Sequence, residues 1–239
     1  MATRTAGRRE RIRKATVAEI HAAARTLLID KGSAAVTVNA VARQVGMSGP
    51  ALYHYYDNHD ALVGAVTAEF FDELTAVMEQ ARDAQADALV GDRILVVCRA
   101  MRAWAVTHRA EFGWIFAAPI SPANRNTDSG RHRAGRRFEQ VLLELTVELW
   151  QTRPFPVPEL GDLPGSLAEQ LDTYSALTDH RLPPAAAHVF LTCWIRLYGL
   201  LCMEVLHQLD FAYSDCEPLY EQCLGERGRA LGLGDGSRG

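Results

Sequence analysis

Lysine is nearly missing from this chain. Of its 25 basic residues only Lys14 and Lys31 are lysine, and the rest are arginine. We read that bias as genomic base composition rather than a functional choice. Cysteine is sparse and odd in number: Cys98, Cys193, Cys202, Cys216 and Cys223 are scattered and form no C-x-x-C pair. That spacing excludes a disulfide framework and offers no zinc or redox motif. Embedded in apolar helical sequence, these cysteines read as buried spacers. No apolar run approaches the ~18 residues of a membrane helix. The N-terminus MATRTAGRRERIRKA is basic and lacks the apolar stretch of a signal peptide. The expected location is therefore the cytoplasm, with no membrane partner. There is no G-x-S-x-G, no phosphate-binding glycine loop and no defensible Ser/Cys–His arrangement, so no enzyme activity is expected. No metal or other cofactor is expected either.

What is present is an ordinary globular composition, 48% hydrophobic and 23% charged over 239 residues. Length allows one sizeable domain or two small ones. The net charge of −4 conceals a polarity along the chain. Residues 1–50 carry nine basic groups against three acidic ones, a net +6, which leaves −10 for the other 189 residues. A positive head on an acidic body points to nucleic acid at one end and another partner elsewhere.

The periodicity is helical throughout and predicts an all-α fold. Ile20, Ala23, Ala24, Leu27 and Leu28 share one helix face, closed by Lys31-Gly32. Val38, Val41, Ala42 and Val45 repeat the spacing in a shorter helix stopped by Gly46. Ser48-Gly49-Pro50 then supplies an N-cap and a first-turn proline for a short helix holding Ala51, Leu52, Tyr55 and Tyr56. After the capping signal Asp57-Asn58, apolar residues Leu62, Val66, Phe70, Leu74, Val77 and Met78 mark a long helix from about residue 59 to 84. Further helices are predicted at about 92–107, 109–117, 132–152, 166–179, 184–210 and 215–230. Loops are predicted at Pro119–Gly130 and Arg153–Gly165.

Two short helices joined by Val45-Gly46-Met47-Ser48 are the spacing of a helix-turn-helix, whose second helix enters the major groove. Ser48, Tyr53, His54 and Tyr55 can reach base edges or phosphates from it. The arginines Arg4, Arg8, Arg9, Arg11 and Arg13 read as a flexible electrostatic tether beside it, with Arg8 and Arg9 as DNA contacts.

The stretch from Gly32 to Ala42, then Val45-Gly46-Met47-Ser48, then Ala51-Leu52-Tyr53-His54-Tyr55-Tyr56 and Ala61-Leu62, resembles the DNA-binding domain of the tetracycline-repressor (TetR) family. The likeness covers residues 12–63 or so in the family's order and spacing. It implies that Thr37 and Tyr55 touch phosphates. It further implies that Asn39 and residues 48–54 (Ser48, Gly49, Pro50, Ala51, Tyr53 and His54) face the bases, and that the chain dimerises. One departure is His59, where the family usually has a phosphate-contacting lysine. A neutral imidazole removes one charge-assisted contact, so weaker or pH-sensitive binding is one reading and a histidine hydrogen-bonded to phosphate is the other.

Downstream, Met101, Trp104, His108, Phe112, Trp114 and Phe116 concentrate aromatics that either fill a core or line a pocket. The middle helices of similar regulators enclose an effector cavity, which implies that these residues bind a small molecule, with Arg102, His108 and Glu111 as polar groups. Phe138 and Trp194 serve equally well. The stretch Val189–Leu209 is apolar nearly all round and needs partners on every side, including a subunit interface. Its Trp194, Tyr198-Gly199 and Glu204 resemble a TetR subgroup common in high-GC actinobacteria. With residues 132–152 it is expected to form a four-helix interface across a two-fold axis. Glu204 and His207 have the Glu-x-x-His spacing of di-iron bundles, but no second pair exists, which leaves a structural or interface role.

The expected organisation is a helix-turn-helix domain with its basic arm at 1–63 and a ligand-binding, dimerising helical bundle at 64–239. The expected function is a ligand-responsive regulator, chiefly a repressor, binding a palindromic double-stranded operator as a homodimer and released by a small-molecule effector. The long helix after residue 59 is the expected lever between the two parts. The competing reading is a dimeric small-molecule-binding protein without specific DNA recognition, prompted by His59 and by the small residues Gly49 and Ala51.

Overall fold

The computed structural model describes residues 2–117 and 126–233, with side chains from Gly7 onward. Helices account for most of them, and no strand occurs among the described residues. The chain forms two compact units. The first comprises residues 1–73 and 108–136, and the second residues 74–107 and 137–239.

The first unit opens with α1 (Ala2–Lys31), followed by a short 3₁₀ turn at Ser33–Ala35, α2 (Val38–Val45), α3 (Gly49–Leu52) and the N-terminal part of α4 (His59–Asp83). Ile20, Ala24, Leu27 and Leu28 are buried as the heptad-like spacing requires, together with Val36, Val41, Leu52, Leu62 and Val66. The basic arm is not a tether: α1 runs back to Ala2 as continuous helix. Arginine, glutamate and lysine are good helix formers, and no proline interrupts residues 2–31, so the helix extends outward from its buried half. The side chain of Arg4 lies outside the described residues. Also in this unit is α6 (Arg109–Phe116), which packs on α1.

Boundaries in the head follow local chemistry. Thr37 caps α2 by accepting from the Ala40 N–H at 3.2 Å, and Gly46 ends it in the left-handed region at φ 77. Ser48 caps α3, which is regular only to Leu52. The chain then continues as turns in which the Tyr55 and Tyr56 amides still donate to the Leu52 carbonyl.

The second unit holds α5 (Val90–Thr107), most of α7 (Gly130–Thr152), α8 (Gly165–Leu177), α9 (Pro184–Val205) and α10 (Glu217–Ala230). α9 packs against α5, α8 and α10. Two helices stop short of the expected ends. α9 closes at Val205 rather than 210 because His207 turns left-handed at φ 58. α8 closes at Leu177 rather than 179, where Asp179 and His180 take positive φ. There the fully buried Ser175 donates to the Leu182 carbonyl at 2.8 Å. Of the loop expected at Pro119–Gly130, residues 119–125 lie outside the described residues.

One sequence expectation about this unit needs correction. α9 is long and apolar enough by length and composition to cross a membrane, although no uninterrupted run is; Arg196 and Thr192 break the run without lowering the average enough. α7, expected in a subunit interface, is mostly polar where it is exposed, with Trp150 half-buried. Val141, Leu142, Leu143, Leu145, Val147 and Leu149 are all buried, and its exposed positions, among them Arg133, Arg136, Arg137, Glu139, Gln140, Glu144 and Gln151, carry no large apolar side chain. The helix has apolar residues on nearly every side of its C-terminal half, and the monomer's own core takes them.

Candidate nucleic-acid interface and effector region

The second helix of the pair is fixed from both ends. Leu52 anchors it in the core at 0% exposure, and the Ser48 hydroxyl accepts from the Ala51 N–H at 3.4 Å. Outward it presents exposed Ser48, Pro50, Tyr53 and His54, with half-buried Gly49 and Ala51. Thr37 and Asn39 are exposed at the start of α2. Capping uses a lone pair of the Thr37 hydroxyl and leaves its proton to donate, as a phosphate contact requires. Arg8 and Arg9 are exposed on α1.

Several relations here were invisible in the sequence. A Cβ built on Gly49 would stand 2.7 Å from Asn39 Oδ1, so the glycine makes room for the Asn39 side chain to lie against α3. Arg13 stacks its guanidinium over the Tyr55 ring at 5.4 Å, which orients a side chain expected to reach phosphate. Tyr56 hydroxyl and His21 Nε2 are 2.6 Å apart, and His21 Nδ1 meets Glu69 Oε2, tying α1 to α4 beneath the reading face. Burial, then the Glu69 charge, push the Tyr56 phenol up to about 12 against a smaller opposing effect of Arg13. Sequence separations of 35 and 48 residues hid these partners. His59 donates from Nε2 to the Val36 carbonyl at 2.8 Å, which fixes its ring at the start of α4.

The expected effector residues divide between the units. Met101, Trp104, Phe138 and Trp194 belong to the second, His108, Phe112, Trp114 and Phe116 to the first. Within the second unit Phe138 and Trp194 meet edge to face at 5.5 Å, and Met101 and Trp104 are buried. In the first, Phe112 and Phe116 touch at 4.7 Å, and the Trp114 indole N–H donates to Thr67 Oγ1 at 2.9 Å. The polar groups proposed for an effector are held in ion pairs. Arg102 binds Glu204 through two donors at 2.7 and 3.0 Å, Arg25 binds Glu111 at 2.7 Å, and His108 stands 3.6 Å from Glu73. The Glu-x-x-His pair is split in the same way: Glu204 is buried against Arg102 while exposed His207 pairs with Asp210.

A basic helix-turn-helix on an all-helical body defines a class of bacterial regulators, and comparison with known proteins agrees. Residues 20–66 match the model of bacterial regulatory proteins of the tetR family, and residues 94–226 that of the tetracyclin repressor-like C-terminal domain. The chain belongs to the TetR family. Among curated relatives, the HTH-type transcriptional regulators Rv1816 of Mycobacterium tuberculosis and Mb1846 of Mycobacterium bovis are each 27% identical over 139 residues. That match covers 56% of this chain and 59% of each relative, less than two thirds of their length. Of solved structures, a protein named as regulatory, SCO4313, superposes with a TM-score of 0.70 at 27% identity, covering 91% of this chain and 97% of that one. A TetR family transcription regulator from Marinobacter aquaeolei VT8 has the same fold at a TM-score of 0.56 and 14% identity, over 93% of this chain and 97% of that one.

Proposed function

We propose that this chain is a ligand-responsive transcriptional regulator, chiefly a repressor, that works in the cytoplasm and binds a palindromic operator as a homodimer. Residues 1–63 take the DNA, and residues 64–239 take the ligand and the second subunit. The observation that carries the reading is the α2–Gly46–α3 turn. It is capped at both helix starts, anchored by Leu52, and presents exposed Thr37, Asn39, Ser48, Tyr53 and His54 beside a basic α1. Phosphate contacts from Arg8, Arg9, Thr37, Tyr55 and His59 would set the register, and side chains of α3 would read bases.

Support for the dimer comes from α9. Ile195, Met203 and Leu206 are exposed by 64%, 40% and 40%, and Leu177 of α8 by 66%. Exposed large apolar residues on adjoining helices mark an association surface. A two-fold axis there would pair two reading helices for half-sites about 34–36 Å apart. α4 contributes residues to both compact units, which suits a lever by which a bound ligand shifts the population between DNA-binding and released states.

The test is selection of bound fragments from random duplex DNA by the full chain at two salt concentrations. Enrichment of an inverted repeat whose binding weakens with salt is the expected result. No enriched sequence would reject DNA recognition and leave a helical binding protein.

A further inference from the structure

Within the second unit, α5, α7, α9 and α10 enclose a cavity of about 40 Å³. Its wall is almost wholly apolar, with Ile94, Leu142, Phe190 and Trp194 among the lining side chains, and it contains one cation, Arg227. A wider cavity of about 240 Å³ adjoins, lined by Leu149 and, at its polar side, by Asp92, Thr152 and Arg153. Both linings share Leu95 and Leu233. Leu95 is held within α5, which leaves Leu233, beyond the end of α10, as the movable part of the partition between them.

The chain takes trouble to place that leucine. Gly232 turns left-handed at φ 68 after α10, and the Leu233 amide donates back to the Gly228 carbonyl at 2.8 Å. Arg153 donates to the Gly232 carbonyl. A Cβ on Gly91 would stand only 2.6 Å from Leu233 Cδ2, and one on Gly228 would stand 3.7 Å from Leu233 Cβ. Two glycines thus receive one flexible side chain held on a short turn, an arrangement that lets the partition move without disturbing a helix.

Behind the partition, the half-buried Arg227 guanidinium keeps one donor unsatisfied. Its Nε is buried with no hydrogen-bond partner among the described residues. Its recorded carboxylate neighbour, half-buried Glu226, is 3.6 Å from NH2, an ion pair but beyond hydrogen-bond reach. A buried donor without an acceptor is unfavourable, and a carboxylate is the acceptor that guanidinium geometry fits best. The Arg227 charge is also felt along the wall: burial raises the Cys193 thiol, and Arg227 opposes that shift.

We propose that the two cavities are one binding site for a small apolar monocarboxylate. Its carboxylate meets Arg227 in the inner cavity, and its apolar chain runs past a displaced Leu233 against Leu95 and Leu149. This deepens the effector-binding half of the proposed function and rests on it only for the consequence of binding, not for the site.

The test is calorimetric titration of the full chain with straight-chain carboxylates of four to ten carbons, phenylacetate, and the alcohols of matching length. At least one carboxylate binds about tenfold or more tightly than its alcohol, the size expected of one charge-assisted contact. Arg227→Gln removes that preference and leaves alcohol binding unchanged, whereas Arg229→Gln, an exposed arginine of α10 outside both linings, leaves the preference intact. Leu233→Ala keeps binding and strengthens it severalfold. Should Arg227→Gln fail to fold, tryptophan fluorescence decides: the carboxylate changes emission in the wild type and not in Trp194→Phe. No carboxylate binding at millimolar concentration overturns the proposal, as does a preference that survives Arg227→Gln or vanishes with Arg229→Gln. Operator binding in the same panel separates the two levels. Carboxylate binding without release of DNA keeps the site and rejects its effector role. Release by another compound, with no carboxylate bound, rejects the site and keeps the regulator.

Discussion

Arg25 of α1 and Glu111 of α6 are joined by a 2.7 Å hydrogen bond from Nε to Oε1, with the carboxylate residue only 3% exposed. The same guanidinium reaches Glu73 of α4 from NH1 at 2.8 Å and lies over the Phe70 ring at 5.3 Å. The hydrogen bond to Glu73, followed by smaller contributions from Glu111 and against an opposing cost of burial, raises the Arg25 pKa. Three helices of the first unit meet on this one cation. Arg25→Met strands the Glu111 carboxylate and should destabilise the protein by about 3 kcal/mol, the lower end of the range for a broken buried pair because Arg25 is 28% exposed. Adding Glu111→Leu should recover most of that loss. Urea unfolding of the two variants checks it, and a loss under about 1 kcal/mol for Arg25→Met would show that the pair is not needed.

Gly49 and Asn39 form a second coupled pair. The Cβ of Gly49→Ala meets only the end of a flexible side chain, so the fold should keep its stability while Asn39 is turned away. Operator affinity should fall about 5–150-fold, the range of one base contact. In an Asn39→Ala background the same change should do almost nothing. Equal losses in both backgrounds would instead place Gly49 itself against the DNA.

His59 holds its ring by donating to the Val36 carbonyl. His59→Lys supplies a permanent charge at the start of α4 and should tighten operator binding several-fold. The salt slope should steepen by about 0.9, the value for one added phosphate contact. An unchanged slope would mean that position 59 does not face the backbone.

Tyr56 makes the protein sensitive to alkali. Its folded pKa of about 12 exceeds the ordinary 10.0, so the folded state holds its proton longer than the unfolded chain does. The associated stability is full below pH 10 and declines as pH rises from 10 to 12. Burial raises Tyr174 and Tyr220 in the same direction, so Tyr56→Phe should make the decline shallower without abolishing it. Urea midpoints at pH 9 and pH 11 measure the difference; identical declines would show that the Tyr56 proton plays no part.

The sequence announces the parts of this molecule that depend on neighbours three or four residues apart. Buried Ile20, Ala24 and Leu27, the Thr37 and Ser48 caps and the Gly46 turn all follow from spacing and local backbone chemistry. Relations between distant segments do not. Nothing near Arg102 foretells its pairing with Glu204, 102 residues away, and nothing near Gly91 foretells Leu233. The direction of an apolar helix face is equally hidden: α9 reads as apolar on most sides, yet the structure buries Phe190 and Leu197 while keeping Ile195 and Met203 exposed. The arm differs for another reason: a high charge density suggests solvation but does not prevent a run of good helix formers from continuing α1 to Ala2.

Sedimentation of the full chain, alone and with a duplex carrying the selected inverted repeat, tests the central claim most directly. A dimer in solution and two chains on each duplex are predicted, with Ile195→Arg giving folded monomers that bind far more weakly. A wild-type chain that sediments as a monomer and leaves the duplex free at moderate salt would contradict the account.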